Sequence, residues 1–332
     1  MKVLVTGGAG YIGSITNWLL RKQGFETVVF DNLSCGHKEA VGETPLVVGD
    51  LTKKADVSSL FEHHQFDAVV HFAALALAGE SMERPADYYF NNIVGGINLL
   101  EAMKTVGCKH IVFSSTCALY GTPKQLPVAE AAPINPESVY ASSKRMVEEI
   151  LAWYGKLYDI RYTNLRYFNA SGALLDGSLG EDHDPETHLI PIALSVAAGK
   201  QKELLMNGDD YDTPDGTCIR DYIHVLDLAD AHVKALEYLT KGGKSDSFNL
   251  GVGKGYSNKE VLDAVEQAVG KEIPKKIVGR RAGDPAAIWA DNTKAKKVLG
   301  WEPKYSDLKT IVGSAWRWYQ NREAVTVTKR VS

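Results

Sequence analysis

Residues 2–13 read KVLVTGGAGYIG, an apolar run that leads into three spaced glycines and then into a helical pattern. The run predicts a strand, and the apolar spacing after it predicts a helix. Gly7, Gly10 and Gly13 stand at the junction, where a tight turn, close approach to a pyrophosphate and close helix–sheet packing each exclude a Cβ. The triplet therefore indicates a dinucleotide site, although an ordinary glycine-rich turn can have the same sequence pattern.

The alternation of strand and helix continues to about residue 168. Short β-branched runs predict strands at residues 3–6, 27–31, 46–48, 68–72, 111–114 and 162–167. Because helical patterns separate these runs, the sequence predicts an α/β fold with a doubly wound, Rossmann-type parallel sheet. We predict a dinucleotide-binding domain over residues 1–168 and a smaller mixed α/β lobe over residues 169–332, with segments near 220–251 returning to the first domain.

The composition excludes several classes of protein. The chain has 332 residues, 45% of them hydrophobic, which is enough for a large core, and its net charge of -4 does not attract nucleic acid or anionic lipid. The cysteines form no CxxC pair, so neither disulfides nor a zinc cluster is predicted; they are Cys35, Cys108, Cys117 and Cys218. Without a leader-like start or a spanning run, we expect a cytoplasmic protein that holds no metal and contacts neither membrane nor nucleic acid.

Further polar and small residues follow the predicted strands. Asp31 ends the second strand, where a carboxylate can accept a hydrogen bond from a ribose 2′-OH and would repel a 2′-phosphate. NAD is therefore favoured over NADP, although an acid at a strand end is often a helix cap. The residues predicted from the strand ends to contact the cofactor are Asp31, Asn32, Asp50, Leu51, Phe72, Ala73 and Ala74.

Tyr140 and Lys144 are four residues apart near the start of a predicted helix, so the phenol and the ammonium share a face. A nearby positive charge favours the phenolate, which makes Tyr140 a candidate general base. This spacing is also common in helices without function. Thr116, at the end of the preceding strand, is expected at the same cleft, because ligands bind outside the carboxyl ends of parallel strands.

With these motifs in this order, the sequence resembles the extended short-chain dehydrogenase/reductase family, and within it the UDP-glucose 4-epimerases. The similarity extends from Lys2 to about Gln320. The blocks that carry it are VTGGAGYIGS, FDNLS, GDLT, VVHFAA, FSSTCALYG, YASSK, LRYFNASGA, GEDHDPETHLIP, GDDYDTPDGTCIRDYIHV and RRAGDP. Such an ordered set of blocks is far more specific than one motif.

The resemblance implies an enzyme with bound NAD that interconverts UDP-galactose and UDP-glucose through a 4-keto sugar. Tyr140 would take the proton of the sugar 4-OH while the C4 hydride passes to NAD and later returns to the opposite face. Lys144 would lower the pKa of Tyr140 and hold the nicotinamide ribose, and Thr116 would hydrogen bond to the sugar O4. The implied further cofactor contacts are Tyr11, Ile12, Asn92, Ser114 and Tyr167, beside Tyr140 and Lys144.

The implied UDP-sugar contacts lie mostly in the second half of the chain. Besides Thr116, they are Asn169, His188, Leu189, Asn207, Arg220, Arg281, Asp284 and Ile288. Arginine suits a diphosphate because its planar fork binds oxygens in pairs. Arg220 and Arg281 could equally form surface ion pairs with Asp221 and Asp284.

Three positions depart from the family pattern. Ala76 stands where relatives often carry a lysine near the cofactor phosphates, and Asn207 where an aromatic residue packs near the uracil. Ile288 occupies the position whose bulk is thought to govern acceptance of N-acetylated sugars. A difference of one or two methylenes discriminates only modestly, so UDP-N-acetylhexosamines stay an alternative substrate.

Other functions remain open from the sequence. A nucleotide-sugar 4,6-dehydratase or a UDP-glucuronate decarboxylase shares the fold, but dehydratases place an Asp-Glu pair where this chain has Thr116-Cys117. A non-catalytic NAD sensor would not need Tyr140, Lys144 and Thr116 together. The resemblance also implies a homodimer formed through helices near residues 92–104 and 146–154.

Overall fold

The computed structural model describes residues 1–281 and 284–331, with side chains of the last helix described to residue 323. The strands are Lys2–Thr6 (β1), Glu26–Asp31 (β2), Leu46–Val48 (β3), Ala68–His71 (β4), His110–Thr116 (β5), Arg161–Tyr167 (β6), Asn169–Ser171 (β7), Leu204–Asn207 (β8), Ile219–Arg220 (β9), Tyr222–His224 (β10), Asp246–Leu250 (β11), Tyr256–Ser257 (β12), Lys275–Val278 (β13) and Ala287–Ile288 (β14). Within the described ranges, seven of them form one parallel sheet in the order β11-β6-β5-β4-β1-β2-β3.

Helices cover the sheet and build the second lobe. They are Tyr11–Lys22 (α1), Lys54–His63 (α2), Ala78–Glu83 (α3), Pro85–Tyr89 (α4), Gly95–Val106 (α5), Val139–Tyr158 (α6), Leu189–Ala197 (α7), Val225–Thr240 (α8), Asn258–Val269 (α9), Thr293–Leu299 (α10) and Leu308–Val331 (α11). Single helical turns lie at Lys38–Val41, Phe90–Val94 and Cys117–Tyr120. The prediction of an α/β, doubly wound fold is confirmed.

The central strand β1 shows why the apolar runs become parallel strands. Val3 and Val5 pack on one face with Leu236 of α8, whereas Leu4 packs on the other face with Leu99 of α5. All three β1 side chains are fully buried. Each contributes roughly 1.5–3 kcal/mol through removal of apolar surface from water. A strand covered on both faces must be apolar at successive positions.

The second lobe combines short strands with three packed helices. Strand β8 pairs with β13, and β9 lies between β12 and β14. Helices α7, α9 and α11 share one apolar cluster. A capping box starts α9: the Ser257 hydroxyl accepts from the Glu260 N–H at 3.1 Å, and the Glu260 carboxylate accepts from the Ser257 N–H at 2.7 Å.

The polypeptide crosses between the lobes more than once. Strand β11 pairs with β6 in the main sheet, and α8 packs against α1. The place where the lobes divide, set at residue 168 from the sequence, stays a prediction. In the described part of the chain no helix is both long enough and apolar enough to traverse a bilayer.

Candidate active site

A cavity of about 380 Å³ opens at the carboxyl ends of the parallel strands. The predicted residues that line it are Gly7, Gly10, Tyr11, Ile12, Gly13, Asp31, Asn32, Asp50, Leu51, Phe72, Ala73, Ala74, Ser114, Thr116, Tyr140, Lys144, Tyr167, Asn169 and His188. Parallel strands deliver their last residues to the same edge, which is why positions far apart in sequence meet here.

The glycine turn requires two of its glycines for steric reasons. Gly7 has φ of +71°, and a Cβ there would lie 2.5 Å from the Ala73 nitrogen. A Cβ on Gly13 would lie 2.2 Å from the Gly7 oxygen, so α1 could not start so close to β1. Gly10 is different, because a Cβ there would lie 3.4 Å from its nearest neighbour, the Gly7 oxygen, and the residue faces the cavity. Backbone N–H groups at this helix start suit an anion such as a pyrophosphate.

Asp31 ties the glycine turn to the second strand. Its carboxylate accepts from the Ala9 N–H at 3.0 Å and from the Leu33 N–H at 2.8 Å. The side chain is buried at the cavity wall, where its remaining lone pairs can accept from a ligand hydroxyl. Asp50 accepts from both the N–H and the hydroxyl of Thr52, at 2.9 and 2.8 Å. Its carboxylate therefore also shapes the loop in which it lies.

Thr116, Tyr140 and Lys144 converge as predicted. Helix α6 begins after Ser138, whose hydroxyl accepts from the Ala141 N–H at 3.2 Å, and this places Tyr140 in the first turn over the end of β5. The Thr116 and Tyr140 side chains meet at the cavity wall, and the Thr116 hydroxyl acts to lower the pKa of the phenol. The Thr116 oxygen already accepts from the backbone N–H of residue 118 at 3.1 Å, so its own proton is available to donate.

Lys144 is anchored below the tyrosine. Its Nζ donates to the Ser114 carbonyl at 2.8 Å and lies 6.0 Å from the centre of the Tyr140 ring. The Ser114 hydroxyl is hydrogen bonded in turn to the Tyr167 hydroxyl. These contacts hold the Lys144 ammonium in place at the cavity, beside the Tyr140 ring.

Burial sets the protonation of this pair. It raises the pKa of Tyr140 to about 12, and the Thr116 hydroxyl opposes the shift. It lowers the pKa of Lys144 to about 7, and the charge of Glu148 opposes that shift. The net pKa of Tyr140 is therefore raised in the protein without its cofactor, because burial disfavours the phenolate, and the implied lowering of this pKa by Lys144 stays a prediction.

A buried network behind Lys144 was not found from the sequence. The Glu148 carboxylate accepts from the Ser115 hydroxyl at 2.6 Å and from Arg166 at 2.9 and 2.6 Å. Arg166 also donates to the Tyr120 hydroxyl at 2.9 Å. A signal existed, because an arginine near the end of a strand in the buried sheet needs a buried acid, and Glu148 lies one helical turn after Lys144.

Asn92 lies behind the cavity rather than at its wall. Its amide accepts from the Leu75 N–H at 2.9 Å and donates to the Leu75 carbonyl at 3.1 Å and to the Ser143 hydroxyl at 2.9 Å. The neighbouring Asn91 lines the cavity. Asn92 thus holds the loop after β4 against α6, and its predicted contact with the cofactor stays a prediction.

The predicted UDP contacts form a second group, at the short strands. Arg220 pairs with Ile288 across β9 and β14, and its guanidinium lies 3.4 Å from the Asp284 carboxylate. Asn169, at the cavity, donates its N–H to the carbonyl of Asp221 at 2.9 Å and so joins the two groups. Arg281 is exposed, and residues 282–283 beside it lie outside the described residues.

The remaining members of this group sit apart from the cavity wall. Ile288 is buried in a small apolar cluster with Phe168. Asn207 ends β8 opposite Val278, and Leu189 begins α7. Of the eight implied contacts beyond Thr116, only Asn169 and His188 line the cavity itself.

A model of the NAD dependent epimerase/dehydratase family matches residues 3–251 of this sequence. The chain belongs to that family. Its cofactor is NAD, and the resemblance noted in the sequence is confirmed.

Relatives extend the match over nearly the whole chain. The sequence is 49% identical to a UDP-glucose 4-epimerase of Halalkalibacterium halodurans over 320 residues, which is 96% of each chain. Among solved structures, a UDP-glucose 4-epimerase from Brucella ovis in complex with NAD is 50% identical, with a TM-score of 0.93 over 95% of this chain and 97% of that one. One from Bifidobacterium longum in complex with NAD+ and UDP is 39% identical, with a TM-score of 0.92 over 97% of this chain and 99% of that one.

The loop between β7 and α7 supplies cavity residues that the sequence analysis did not list. Glu181, His183, Asp184 and Pro185 line the wall beside His188. The loop is held by the indole N–H of Trp318, which donates to the Glu181 carbonyl at 2.9 Å. The alternation of acids and histidines in EDHDPETH was the available signal.

Proposed function

We propose that this chain is an NAD-dependent 4-epimerase that interconverts UDP-galactose and UDP-glucose. The convergence of Thr116, Tyr140 and Lys144 at the wall of one cavity, beside the glycine turn, carries the proposal. The relatives named above bear the same activity in their names and match the chain nearly end to end.

The residues present fit NAD. The turn at Gly7 and Gly13 leaves no space for a Cβ and exposes backbone N–H groups, as a pyrophosphate site requires. Asp31 offers a buried carboxylate at the end of β2, and Leu51 and Ala73 give apolar and small walls. We propose that the residues predicted from the strand ends hold the cofactor, together with Tyr11, Ile12, Ser114, Tyr140, Lys144 and Tyr167.

When bound, NAD supplies the acceptor for the C4 hydride and a positive charge near the phenol. Tyr140 Oη holds the proton taken from the sugar 4-OH and returns it. Thr116 donates its hydroxyl proton to the sugar O4 and orients that oxygen toward Tyr140. Because the pKa of Tyr140 is raised to about 12, chiefly by burial, proton acceptance requires added positive charge, and a protonated Lys144 contributes to it.

The second group of residues is proposed to bind the UDP part. Arg220 is only 12% exposed and lies beside Asp284, so it is placed to bind a diphosphate while the carboxylate fixes its fork. The Asn169–Asp221 backbone bond links this region to the cavity where the sugar would react. The proposed UDP-sugar contacts are Thr116, Asn169, His188, Leu189, Asn207, Arg220, Arg281, Asp284 and Ile288.

We also propose a homodimer formed through the helices near residues 92–104 and 146–154, which are α5 with the turn before it and α6. Five large apolar side chains are exposed on this surface: Phe90, Ile97, Met146, Trp153 and Leu157. Exposed apolar patches of this kind mark interaction surfaces. Light scattering should give twice the monomer mass, and Leu157→Glu should halve it. Leu205→Glu, on an exposed position of β8, should leave the mass unchanged; a monomeric wild type would contradict the proposal.

The protein is further proposed to act in the cytoplasm without membrane or nucleic-acid partners. All four cysteines are free, as expected of a chain kept in a reducing compartment. Fractionation of the source cells should recover the protein with the cytosol. Recovery with the membrane fraction would contradict this.

A product assay separates the candidate reactions. Purified protein given UDP-galactose and no added reductant should form UDP-glucose. A 4,6-dehydratase would instead form a 4-keto-6-deoxy sugar, and a sensor would form nothing. Competition between UDP-galactose and UDP-N-acetylgalactosamine then measures whether Ile288 admits the acetamido group; we expect a preference for the plain hexoses.

A further inference from the structure

The loop before α7 carries, at the edge of the cavity, a cluster of four side chains of metal-binding type, none of which takes part in the proton transfer at Tyr140. They are Glu181, His183, Glu186 and His188, all from the loop before α7. One ligand atom from each residue lies within 4.8 Å of the others. Two imidazoles and two carboxylates are a set that binds zinc-like divalent ions well.

Both imidazoles face one oxygen of Glu181, and each faces a different oxygen of Glu186. His183 Nδ1 lies 3.2 Å from a Glu181 oxygen and 3.8 Å from a Glu186 oxygen. His188 Nδ1 lies 2.7 Å from the same Glu181 oxygen and 3.2 Å from a Glu186 oxygen. Ligands about 2.05 Å from a zinc ion stand about 3.4 Å apart along the edges of the tetrahedron. The histidine–carboxylate distances scatter around that value.

Hydrogen bonding leaves part of the cluster unsatisfied. His183 Nδ1 is shielded from solvent, and although it is 3.2 Å from Glu181, the angles do not make a hydrogen bond. The Glu181 side chain is only 7% exposed and directs its carboxylate at both imidazoles. A shielded imidazole nitrogen that faces a carboxylate is an arrangement that two ligands of one ion also adopt.

The loop is held in place from outside the cluster. Trp318 donates to the Glu181 carbonyl at 2.9 Å, and a Cβ on Gly180 would lie 2.4 Å from the same indole. His37 and Arg322 both contact Asp182, between the first two ligands. The four side chains are therefore presented by an ordered backbone, so an ion would not have to organise the loop as it bound.

We propose that Glu181, His183, Glu186 and His188 bind one divalent transition-metal ion of the zinc type. This replaces the sequence-based expectation that the chain holds no metal. The site is separate from the proton transfer at Tyr140, so the ion would brace the loop that walls the cavity.

The test uses the full-length protein with its cofactor, treated with a chelator and then titrated with cobalt chloride or zinc sulfate. We expect one ion per chain and, for cobalt, the intense visible absorption of a four-coordinate complex. His183→Asn and Glu186→Gln should each weaken binding by at least ~10-fold and remove the absorption.

Two variants serve as matched controls. His63→Asn removes an exposed histidine of α2 whose Nδ1 is bonded to the Ser59 carbonyl, and Cys35→Ser removes an exposed thiol at the cavity. Both should bind cobalt as the wild type does. The proposal is overturned if the wild type binds no better than the His183 variant, or if either control loses the ion. Circular dichroism shows whether each variant is folded, and the product assay reports the epimerase reaction independently.

Discussion

The two groups of predicted site residues differ in how they are positioned. Thr116 and Lys144 belong to the long strand β5 and the long helix α6, and backbone contacts lock them at the cavity. Arg220 and Asp284 lie on a two-residue strand and in a loop, and one ion pair of 3.4 Å connects them. The strand and the helix therefore hold Thr116 and Lys144 in place without a ligand. Arg220 and Asp284, which we propose to bind the diphosphate, are positioned by the pairing of their side chains.

The largest effect is expected at the rigid group. Tyr140→Phe should lower turnover by a factor on the order of 10² or more, because it deletes the proton acceptor, while stability and NAD content stay near wild type. Steady-state kinetics measure the turnover, and the absorbance of the purified protein measures its NAD content. Denaturant unfolding measures its stability. Tyr154→Phe, farther along the same helix and bonded to Glu101, should keep full turnover. Equal losses in the two variants would remove the special role of Tyr140.

The glycine turn gives the next effect. Gly13→Ala should destabilise the protein by about 1–3 kcal/mol and reduce its NAD content, because the new Cβ would lie 2.2 Å from the Gly7 oxygen. Denaturant unfolding and cofactor release measure these changes. Gly313→Ala in α11, where a Cβ meets open space, should leave stability unchanged or raise it slightly. A Gly13 variant with normal stability would refute the steric argument.

At the side-chain-paired group the expected effect is one of binding. Arg220→Ala should raise KM for UDP-galactose about 10-fold and change kcat little, because the diphosphate is bound equally in the ground and transition states. Arg280→Ala is the matched control, since that guanidinium pairs with Asp210 at 2.7 Å over the Tyr211 ring. A larger rise in KM for Arg280→Ala than for Arg220→Ala would show that Arg220 is not the arginine that binds the diphosphate.

The smallest effect is a pH dependence of stability. Lys144 loses its proton at about pH 7 in the folded protein and at about 10.5 when unfolded, so above pH 7 the unfolded state binds more protons. The free energy of unfolding of NAD-free protein should therefore rise with pH, by about 1 kcal/mol between pH 7 and 8. Lys144→Met should lack this part of the rise in urea titrations. Parallel curves for the two proteins would show that Lys144 keeps an ordinary pKa.

The difference between residues held by regular strands and helices and residues held by side-chain pairing also explains what the sequence could predict. The parallel sheet follows from apolar runs such as Val3–Val5, which must be buried on both faces. The strand-end residues Asp31 and Thr116 could be placed because the topology brings every strand end to one edge. These inferences depend on periodicity and connectivity, both of which are written locally in the chain.

Other parts depend on contacts that no local pattern encodes. The bond network of Glu148 and Arg166 joins a helix and a strand, and Asn92 turned out to bond a loop rather than face the cavity. The raised pKa of Tyr140 follows from burial, which is a tertiary property. Arg220 meets Asp284 only through the pairing of β9 and β14.

Tyr140 is proposed to move the proton of the sugar 4-OH while the bound cofactor takes and returns the hydride of the same C4 position. UDP-galactose labelled with deuterium at C4, incubated with the purified protein in ordinary water, tests it most directly. We expect UDP-glucose that keeps the deuterium at C4, with conversion at least ~10²-fold slower in Tyr140→Phe. Product that has exchanged the label with water, or conversion unaffected by the substitution, would contradict it.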